Sequence, residues 1–217
     1  MSKFGDRGWG HHRTVAQIWG AFALRLADDP VIPLNFVDYA ASLERYASTI
    51  KSRAKAADAA AVAAGHTSVA FPFGYLDSSI ATFRRAALAV QARSDSLKAV
   101  MEEQGALAAA LSDGAAEPPH MIRQLRTLND ALMLAERAFI IPEGLPGRAW
   151  FKHAIFSPGK HNTYAAEKFP GVSDALSEGK LSLAVAQLHA VCRAIVAAAD
   201  TLDPPALDGS RAGRDEL

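Results

Sequence analysis

The sequence predicts an all-α protein, an antiparallel helical bundle of four long helices plus shorter ones, with one long irregular loop. Alanine and leucine dominate the 217 residues and β-branched residues are few, which favours helices. Apolar residues also recur in alternating steps of three and four, the spacing of one buried helix face. The length is that of a single domain whose core needs no disulfide.

Two helices are predicted in the first third of the chain, separated by the helix breakers Pro30 and Pro33. The apolar residues of the first helix are Val15, Ile18, Trp19, Phe22 and Leu26. Those of the second helix are Phe36, Tyr39, Leu43, Tyr46 and Ile50. The second set lies on a single side of its helix, as expected for a helix that packs against a core.

The remaining long helices show the same spacing. A helix of about 55 Å follows the glycine-containing segment 65–74, and its seam consists of Leu76, Ile80, Phe83, Ala87, Val90, Ser94, Leu97, Met101, Gln104, Ala108 and Leu111. The helix that begins after Pro118 and Pro119 carries Ile122, Leu125, Leu132 and Phe139. The last helix carries Leu181, Val185, Leu188, Cys192, Ile195, Ala199 and Leu202.

The segment 140–179 has no sustained helical period and is predicted to be a long loop inserted before the last helix. Loops of this length in compact domains are usually functional or disordered. Its aromatic residues argue against disorder, and they are Trp150, Phe151, Phe156, Tyr164 and Phe169. We therefore assign the bundle to residues 1–202 and expect 203–217 to be a disordered tail.

The same loop carries an excess of positive charge. Between residues 148 and 168 one acidic residue, Glu167, stands against four basic ones, which are Arg148, Lys152, Lys160 and Lys168. This excess favours an anionic ligand or an acidic partner surface. A solvated loop whose aromatic side chains pin it to the bundle explains the composition equally well.

The overall charge and hydropathy exclude other classes of function. The 23 basic and 23 acidic residues cancel, so we expect no nucleic-acid binding. No uninterrupted apolar run reaches the roughly 18 to 20 residues of a membrane span. Residues 1–10 also lack the apolar core of a signal peptide. We therefore expect a soluble protein that does not contact a membrane, in a compartment that the sequence leaves open.

The sequence contains no motif of a complete active site. It lacks His-Glu-x-x-His, a glycine-rich phosphate loop and Gly-x-Ser-x-Gly, so no catalytic residue, metal or cofactor is expected in this chain. His11 and His12 would point about 100° apart on a helix, which disfavours a shared metal ion. Cys192 is predicted to be an inert core thiol. Glu136 and Arg137 precede the long loop and are predicted to anchor it as a structural ion pair.

Several short motifs occur together in the order found in one known family. In the N-terminal part they are TVAQ at 14–17, LRLAD at 24–28 and VIPL at 31–34. Further along they are LNDALMLAERAF at 128–139, GLP at 144–146, HNTYA at 161–165 and FPG at 169–171. Over residues 4–202 the chain resembles the C-terminal helical domain of the glutamate carboxypeptidase II and transferrin receptor family.

The resemblance implies an architecture. In that family of zinc peptidases of the M28 type, a peptidase domain with a pair of zinc ions precedes this helical domain, which is the transferrin receptor-like dimerisation domain. By the family pattern this chain starts after the peptidase domain. We therefore expect an isolated chain without activity that forms a homodimer, with a zinc peptidase domain as its partner in cis or in trans.

The resemblance also implies substrate-binding residues. In the family's carboxypeptidases the tyrosine of the Asn-x-Tyr motif, here Tyr164, donates its hydroxyl to the terminal carboxylate of the peptide. Asn162 would steady the loop. Glutamate-specific members carry a lysine where this chain has Thr163, so a preference for glutamate does not follow, and Lys160 is the nearby candidate for that charge. Alternatively, Tyr164 only packs the loop.

Three functions remain open from the sequence. The first is a dimerisation domain that completes the substrate pocket of a glutamate carboxypeptidase-like zinc peptidase and is not catalytic by itself. The second is a receptor-like or scaffold module for protein binding that has lost the peptidase chemistry. The third is an unrelated helical bundle. The retained Asn162 and Tyr164 favour the first, because a scaffold needs no hydroxyl that binds a carboxylate.

Overall fold

The computed structural model describes residues 5–111, 119–160 and 166–203, and the side chains within these ranges other than those of 106–111 and 119. The helices are α1 (Gly10–Asp28), α2 (Phe36–Ala63), α3 (Phe73–Leu111), α4 (Pro119–Leu134), α5 (Pro170–Ser177) and α6 (Leu181–Leu202). Two short strands, β1 (Phe156–Pro158) and β2 (Ala166–Lys168), form an antiparallel pair. The predicted fold class, a mostly helical bundle, is confirmed.

The helix α6 forms the middle of the bundle. It packs along α3 and also contacts α4 and α5, while α2 packs on α3. Its buried side chains are Leu181, Ala184, Leu188, Val191, Cys192, Ala194, Ile195, Ala198, Ala199 and Leu202. In the part of the chain that the structure describes, α6 alone meets the length and composition of a membrane-spanning helix. Its place in the protein core accounts for this apolar composition.

The predicted apolar seams of α2 and α3 face this core. In α2, Phe36, Leu43 and Ile50 are buried, whereas Tyr39 and Tyr46 are half-buried. In α3 the seam is buried at Leu76, Ile80, Phe83, Ala87, Val90, Ser94 and Leu97. Beyond Leu97, the described seam residues of α3 are not buried, since Met101 is half-buried and Gln104 is exposed. The predicted seam residues Ala108 and Leu111 have side chains outside the described part.

The helix predicted to reach Phe139 ends earlier. α4 stops at Leu134, and the chain continues as a tighter 3-10 turn over Ala135–Phe139. Leu125, Leu132 and Phe139 are buried as predicted, but Ile122 is 37% exposed. The 3-10 turn remains part of the core, since it packs on α6 and its Ala135 and Phe139 are buried.

The segment 140–179 is more regular than predicted, because it contains the β1–β2 pair and the helix α5. α5 has only eight residues and starts with Pro170. A helix of about two turns is too short to show a clear period of 3.6 residues, so the sequence pattern could not reveal it. Its buried residues, which include Val172 and Leu176, pack on α6 and on the strand pair.

The first helix stands apart from this core. α1 buries none of its side chains. Its N-terminus is capped by Asp6, whose carboxylate accepts hydrogen bonds from the backbone N–H groups of His11 (3.0 Å) and His12 (2.9 Å). The unit 1–202 therefore stays a prediction, and residues 204–217 of the predicted tail lie outside the described residues.

Candidate functional site

The strand pair fixes both ends of the loop that carries the predicted substrate-binding residues. Phe156, Ser157 and Pro158 pair with Lys168, Glu167 and Ala166 respectively, so residues 159–165 connect the two strands. The predicted residues Asn162, Thr163 and Tyr164 fall outside the residues that the structure describes. Only Lys160, the fourth predicted residue, can be placed.

Lys160 is engaged in an ion pair. Its ammonium group donates to the Glu178 carboxylate just after the end of α5, and Lys180 contacts the other oxygen of that carboxylate at 2.7 Å. Hydrogen bonds from Lys160, which has the larger effect, and from Lys180 lower the pKa of Glu178 to about 2. The carboxylate is therefore charged at neutral pH, and the cluster of two lysines and one glutamate keeps one net positive charge at Lys160, just after the end of β1.

Arg148 fastens the first strand to α5. Its Nε donates to Asp174 Oδ2 at 2.9 Å, and its Nη2 lies 2.7 Å from the same oxygen. It also donates to the Pro158 carbonyl (2.5 Å) and to Ser157 Oγ (3.0 Å). The side chains of Arg148 and Asp174 are only 10% and 13% exposed, so this pair is largely shielded from water. One guanidinium thus holds the end of β1 against α5.

A second arginine holds the other strand to the bundle. Arg53 of α2 donates to Glu167 Oε1 at 2.8 Å and to Ser173 Oγ at 3.0 Å. Ser173 donates in turn to the Lys168 carbonyl at 2.9 Å. Burial works to raise the pKa of Glu167, but the hydrogen bond and charge of Arg53, together with the charge of Lys168, leave the pKa below its usual value. The ends of both strands are thus fixed by charged contacts.

The loop is tied to the 3-10 turn through His153. Its Nδ1 accepts backbone hydrogen bonds from Ile155 (3.2 Å) and Phe156 (3.1 Å), which places the ring hydrogen on Nε2. Nε2 then donates to Glu136 Oε1 at 3.0 Å. Glu136 therefore anchors the loop, as predicted for this position, but its ionisable partner is His153 and not the predicted Arg137.

Aromatic contacts reinforce this attachment. Tyr39 stacks on Phe139, with ring centroids 5.3 Å apart, and its hydroxyl lies 3.5 Å from Glu136 Oε1. Burial is the main cause that raises the pKa of Tyr39 above its ordinary value, and the charge of Glu136 adds to it. The phenol therefore stays neutral. Phe156 and Phe169 pack edge-on against Tyr46. Among the aromatic residues of the loop that the structure describes, Phe156 and Phe169 thus pin it to α2, whereas Trp150 is 90% exposed.

The other candidate residues, Cys192 and His12, occupy structural positions in the core and at a helix cap. Cys192 is fully buried in α6, and burial raises the pKa of its thiol to about 11, as expected for an inert core thiol. His12 Nδ1 lies 2.5 Å from Asp6 Oδ2, so this histidine belongs to the cap of α1. Within 5–111, 119–160 and 166–203, no three His, Cys, Asp or Glu side chains gather as metal ligands.

Sequence reasoning missed the part played by Arg148 and Asp174. The sequence indicates for Arg148 only a share in the positive charge of the loop, and no pattern singles out Asp174. The two residues are 26 positions apart, and no local pattern relates them. Only a signal from many related sequences, such as covariation of the two positions, could have pointed to the pair.

The comparisons with known proteins agree with the fold. The sequence profile of the transferrin receptor-like dimerisation domain matches residues 71–203, from just before α3 through α6. The probable glutamate carboxypeptidase VP8 of Zea mays is 34% identical over 209 residues, which is 93% of this chain and 26% of the relative. The aminopeptidase NAALADL1 of Mus musculus is 29% identical over 214 residues, 95% of this chain and 25% of the relative.

A third relative is named as an inactive protein. It is the inactive zinc metalloprotease C354.09c of Schizosaccharomyces pombe, which is 26% identical over 195 residues, 90% of this chain and 22% of the relative. The chain thus spans about a quarter of the length of the curated relatives it matches. Because the profile covers more than half of the chain, this protein belongs to the transferrin receptor-like dimerisation domain family.

Proposed function

We propose that this chain is the dimerisation domain of a glutamate carboxypeptidase-like zinc peptidase, and that it completes the substrate pocket without carrying out catalysis itself. The observation that carries the proposal is the match of the dimerisation profile to residues 71–203. The relatives extend well beyond the part that this chain spans, and two of them are named as peptidases. We place the zinc pair in that additional part.

The geometry supports a role for the strand pair in presenting the substrate-binding loop. Its two strands are fixed to α2 and α5 by Arg53 and Arg148. The loop 159–165 therefore starts and ends at held positions, and Lys160 near its start belongs to a positively charged cluster. A substrate carboxylate would be attracted to such a place.

Within this loop we propose Tyr164 as the donor of a hydrogen bond to the terminal carboxylate of a peptide, with Asn162 holding the loop in shape. A phenol suits this task because it donates from a rigid arm and adds no buried charge. Thr163 contributes no charge, so Lys160, four residues before Tyr164, is the candidate cation. Its contact with Glu178 holds it at the edge of the loop.

The oligomeric state tests the first part of the proposal. We expect the isolated 217-residue chain to have the mass of a homodimer in light scattering, because the family domain is one of dimerisation. The mass should fall towards that of the monomer only on dilution. A monomer mass of 23.0 kDa that stays constant at all concentrations would contradict the proposal.

The pocket is tested by kinetics of the chain joined to its peptidase domain. Tyr164→Phe should raise KM for peptide substrates by roughly 5- to 30-fold, the equivalent of about 1–2 kcal/mol for a lost hydrogen bond to a charged group. Tyr39→Phe is the matched control, since it also removes one phenolic hydroxyl but lies in α2 against Glu136. If wild type and Tyr164→Phe have the same KM, Tyr164 does not bind the substrate.

A second function has one observation in its favour. Because one relative is named as an inactive zinc metalloprotease, a protein with this domain can lack the peptidase activity. In that case the chain would serve as a receptor-like or scaffold module for protein binding. Normal dimerisation together with the absence of peptide hydrolysis by the full zinc-loaded protein would select this alternative.

A further inference from the structure

The two hydrogen-bonded nitrogens of His153 are a feature that the proposed function does not use. Nδ1 accepts the backbone N–H groups of Ile155 at 3.2 Å and Phe156 at 3.1 Å, and Nε2 donates to Glu136 Oε1 at 3.0 Å. The side chain is 21% exposed. A ring in this state has no free lone pair with which to act as a base or to bind a metal ion. His153 is therefore placed to hold other groups.

The contacts of Nδ1 fix the start of β1. Ile155 is fully buried, its N–H donates to His153, and its carbonyl accepts the N–H of Phe169, the residue that follows β2, at 3.0 Å. The Ala154 N–H donates to the Phe139 carbonyl at 2.8 Å. This short segment therefore connects the 3-10 turn to both strands of the pair.

Glu136 and two aromatic rings hold the imidazole in place. The carboxylate accepts from Nε2, so the ring hydrogen stays on Nε2 and Nδ1 keeps its lone pair for the backbone. The His153 ring stacks on that of Phe156, with centroids 5.8 Å apart, and its centroid lies 5.7 Å from that of Phe139. The orientation of the ring is therefore set by the 3-10 turn and by β1.

Asn35 makes the same kind of backbone contact elsewhere in this chain. Its side-chain oxygen accepts the N–H groups two and three residues ahead, those of Val37 at 2.9 Å and Asp38 at 3.3 Å. His153 accepts the N–H groups two and three residues ahead of itself. An asparagine side chain forms such contacts readily, because its oxygen lies close to its own backbone. His153→Asn therefore keeps this acceptor, but the shorter side chain does not reach Glu136.

We infer that His153 is a positioning residue for substrate binding, because its Nδ1 holds the start of β1, the strand from which the chain enters the loop 159–165. The inference rests on the proposed function, which assigns the substrate carboxylate to that loop. It adds a residue that acts on the substrate only through the backbone of β1. Because both ring nitrogens are engaged within the chain, His153 is not a catalytic residue.

Kinetics of the chain joined to its peptidase domain test this role. In His153→Gln the longer amide still donates to Glu136, but the N–H groups of Ile155 and Phe156 lose their acceptor. KM for peptide substrates should rise roughly 10-fold while kcat stays within about 2-fold, since a displaced loop weakens binding of substrate and transition state alike. His153→Asn should restore KM to within about 3-fold of wild type. His120→Gln, at an exposed histidine of α4, is the matched control and should leave both constants unchanged.

Hydrogen exchange of the 217-residue chain tests the strand itself. The amides of Ile155 and Phe156 should exchange at least about 10-fold faster in His153→Gln than in wild type or in His153→Asn. The amides of α6 report on the bundle and should exchange alike in all three proteins. If the exchange in α6 shows that His153→Gln does not fold, Glu136→Met replaces it, because that side chain is 50% exposed. Glu136→Met releases Nε2 alone and should raise KM by at least about 3-fold, and an unchanged KM would contradict the inference.

A double variant separates the failure of this inference from that of the proposed function. Since His153 acts through the loop that carries Tyr164, His153→Gln should raise KM less in a Tyr164→Phe background than in wild type. If Tyr164→Phe raises KM and a folded His153→Gln does not, the inference is wrong and the proposed function stands. If His153→Gln alone raises KM, the proposed contact of Tyr164 is wrong and His153 still positions the substrate. An equal loss in His153→Asn and His153→Gln would overturn the inference, since Nδ1 would then have no special part.

Discussion

Arg148→Met is expected to lower the free energy of unfolding by about 3–5 kcal/mol, the cost of removing one partner of a buried ion pair. The substitution leaves the Asp174 carboxylate, which is only 13% exposed, without the guanidinium that it faces. It also removes the donors to Ser157 Oγ and to the Pro158 carbonyl, which hold the end of β1. Urea unfolding followed by circular dichroism measures the change.

Two control variants show whether the unpaired charge is responsible. In the double variant Arg148→Met, Asp174→Leu no uncompensated buried carboxylate remains, so it should be more stable than Arg148→Met alone. Arg126→Met changes an exposed arginine on α4 and should alter the stability by no more than about 0.5 kcal/mol. A loss below about 1 kcal/mol for Arg148→Met would mean that the pair behaves like one on the surface.

Gly144→Ala is expected to cost about 2–5 kcal/mol, from two separate sources. Gly144 has a φ of +73°, where an L-residue with a side chain is strained by about 1–2 kcal/mol. A Cβ at this position would also lie 2.2 Å from the Ala149 carbonyl oxygen. Because that atom is backbone, the turn has to shift, at a cost typical of overpacking, about 1–3 kcal/mol.

The chain contains a matched control for this prediction. Gly147 has nearly the same φ, +72°, but no atom lies within 4 Å of its hypothetical Cβ. Gly147→Ala should therefore show the conformational cost alone, about 1–2 kcal/mol in the same urea experiment. Equal losses for Gly144→Ala and Gly147→Ala would mean that the contact with Ala149 relaxes freely, contrary to the prediction.

Regular helices with one buried side were the most predictable part of this protein. α6 begins and ends at the residues that bound its predicted stripe, Leu181 and Leu202. The seam of α3 is buried from Leu76 to Leu97 as the spacing indicated. Both predictions rely only on a repeat within one helix, which a single sequence contains in full.

The candidate site was harder to predict from the sequence than the helices. The family resemblance pointed to Asn162 and Tyr164, and Lys160 was added as a nearby cation. The strand pair on either side has three residues in each strand, too few for an alternating pattern. Its position depends on contacts between distant residues, such as the 114 positions between Arg53 and Glu167. No local rule predicts such pairs, because either arginine could have paired with any nearby acid.

By itself, the sequence determined the helical class, the core side of α2, α3 and α6, and the family, because these follow from residue spacing and motif order. The tertiary structure decided which charges meet, since Glu136 contacts His153, and Arg148 contacts Asp174. It also decided that the apolar residues of α1, although spaced like those of a core helix, lie outside the core. Spacing shows that a helix has a side to bury, but only the positions of the other helices show whether this chain supplies the surface that covers it.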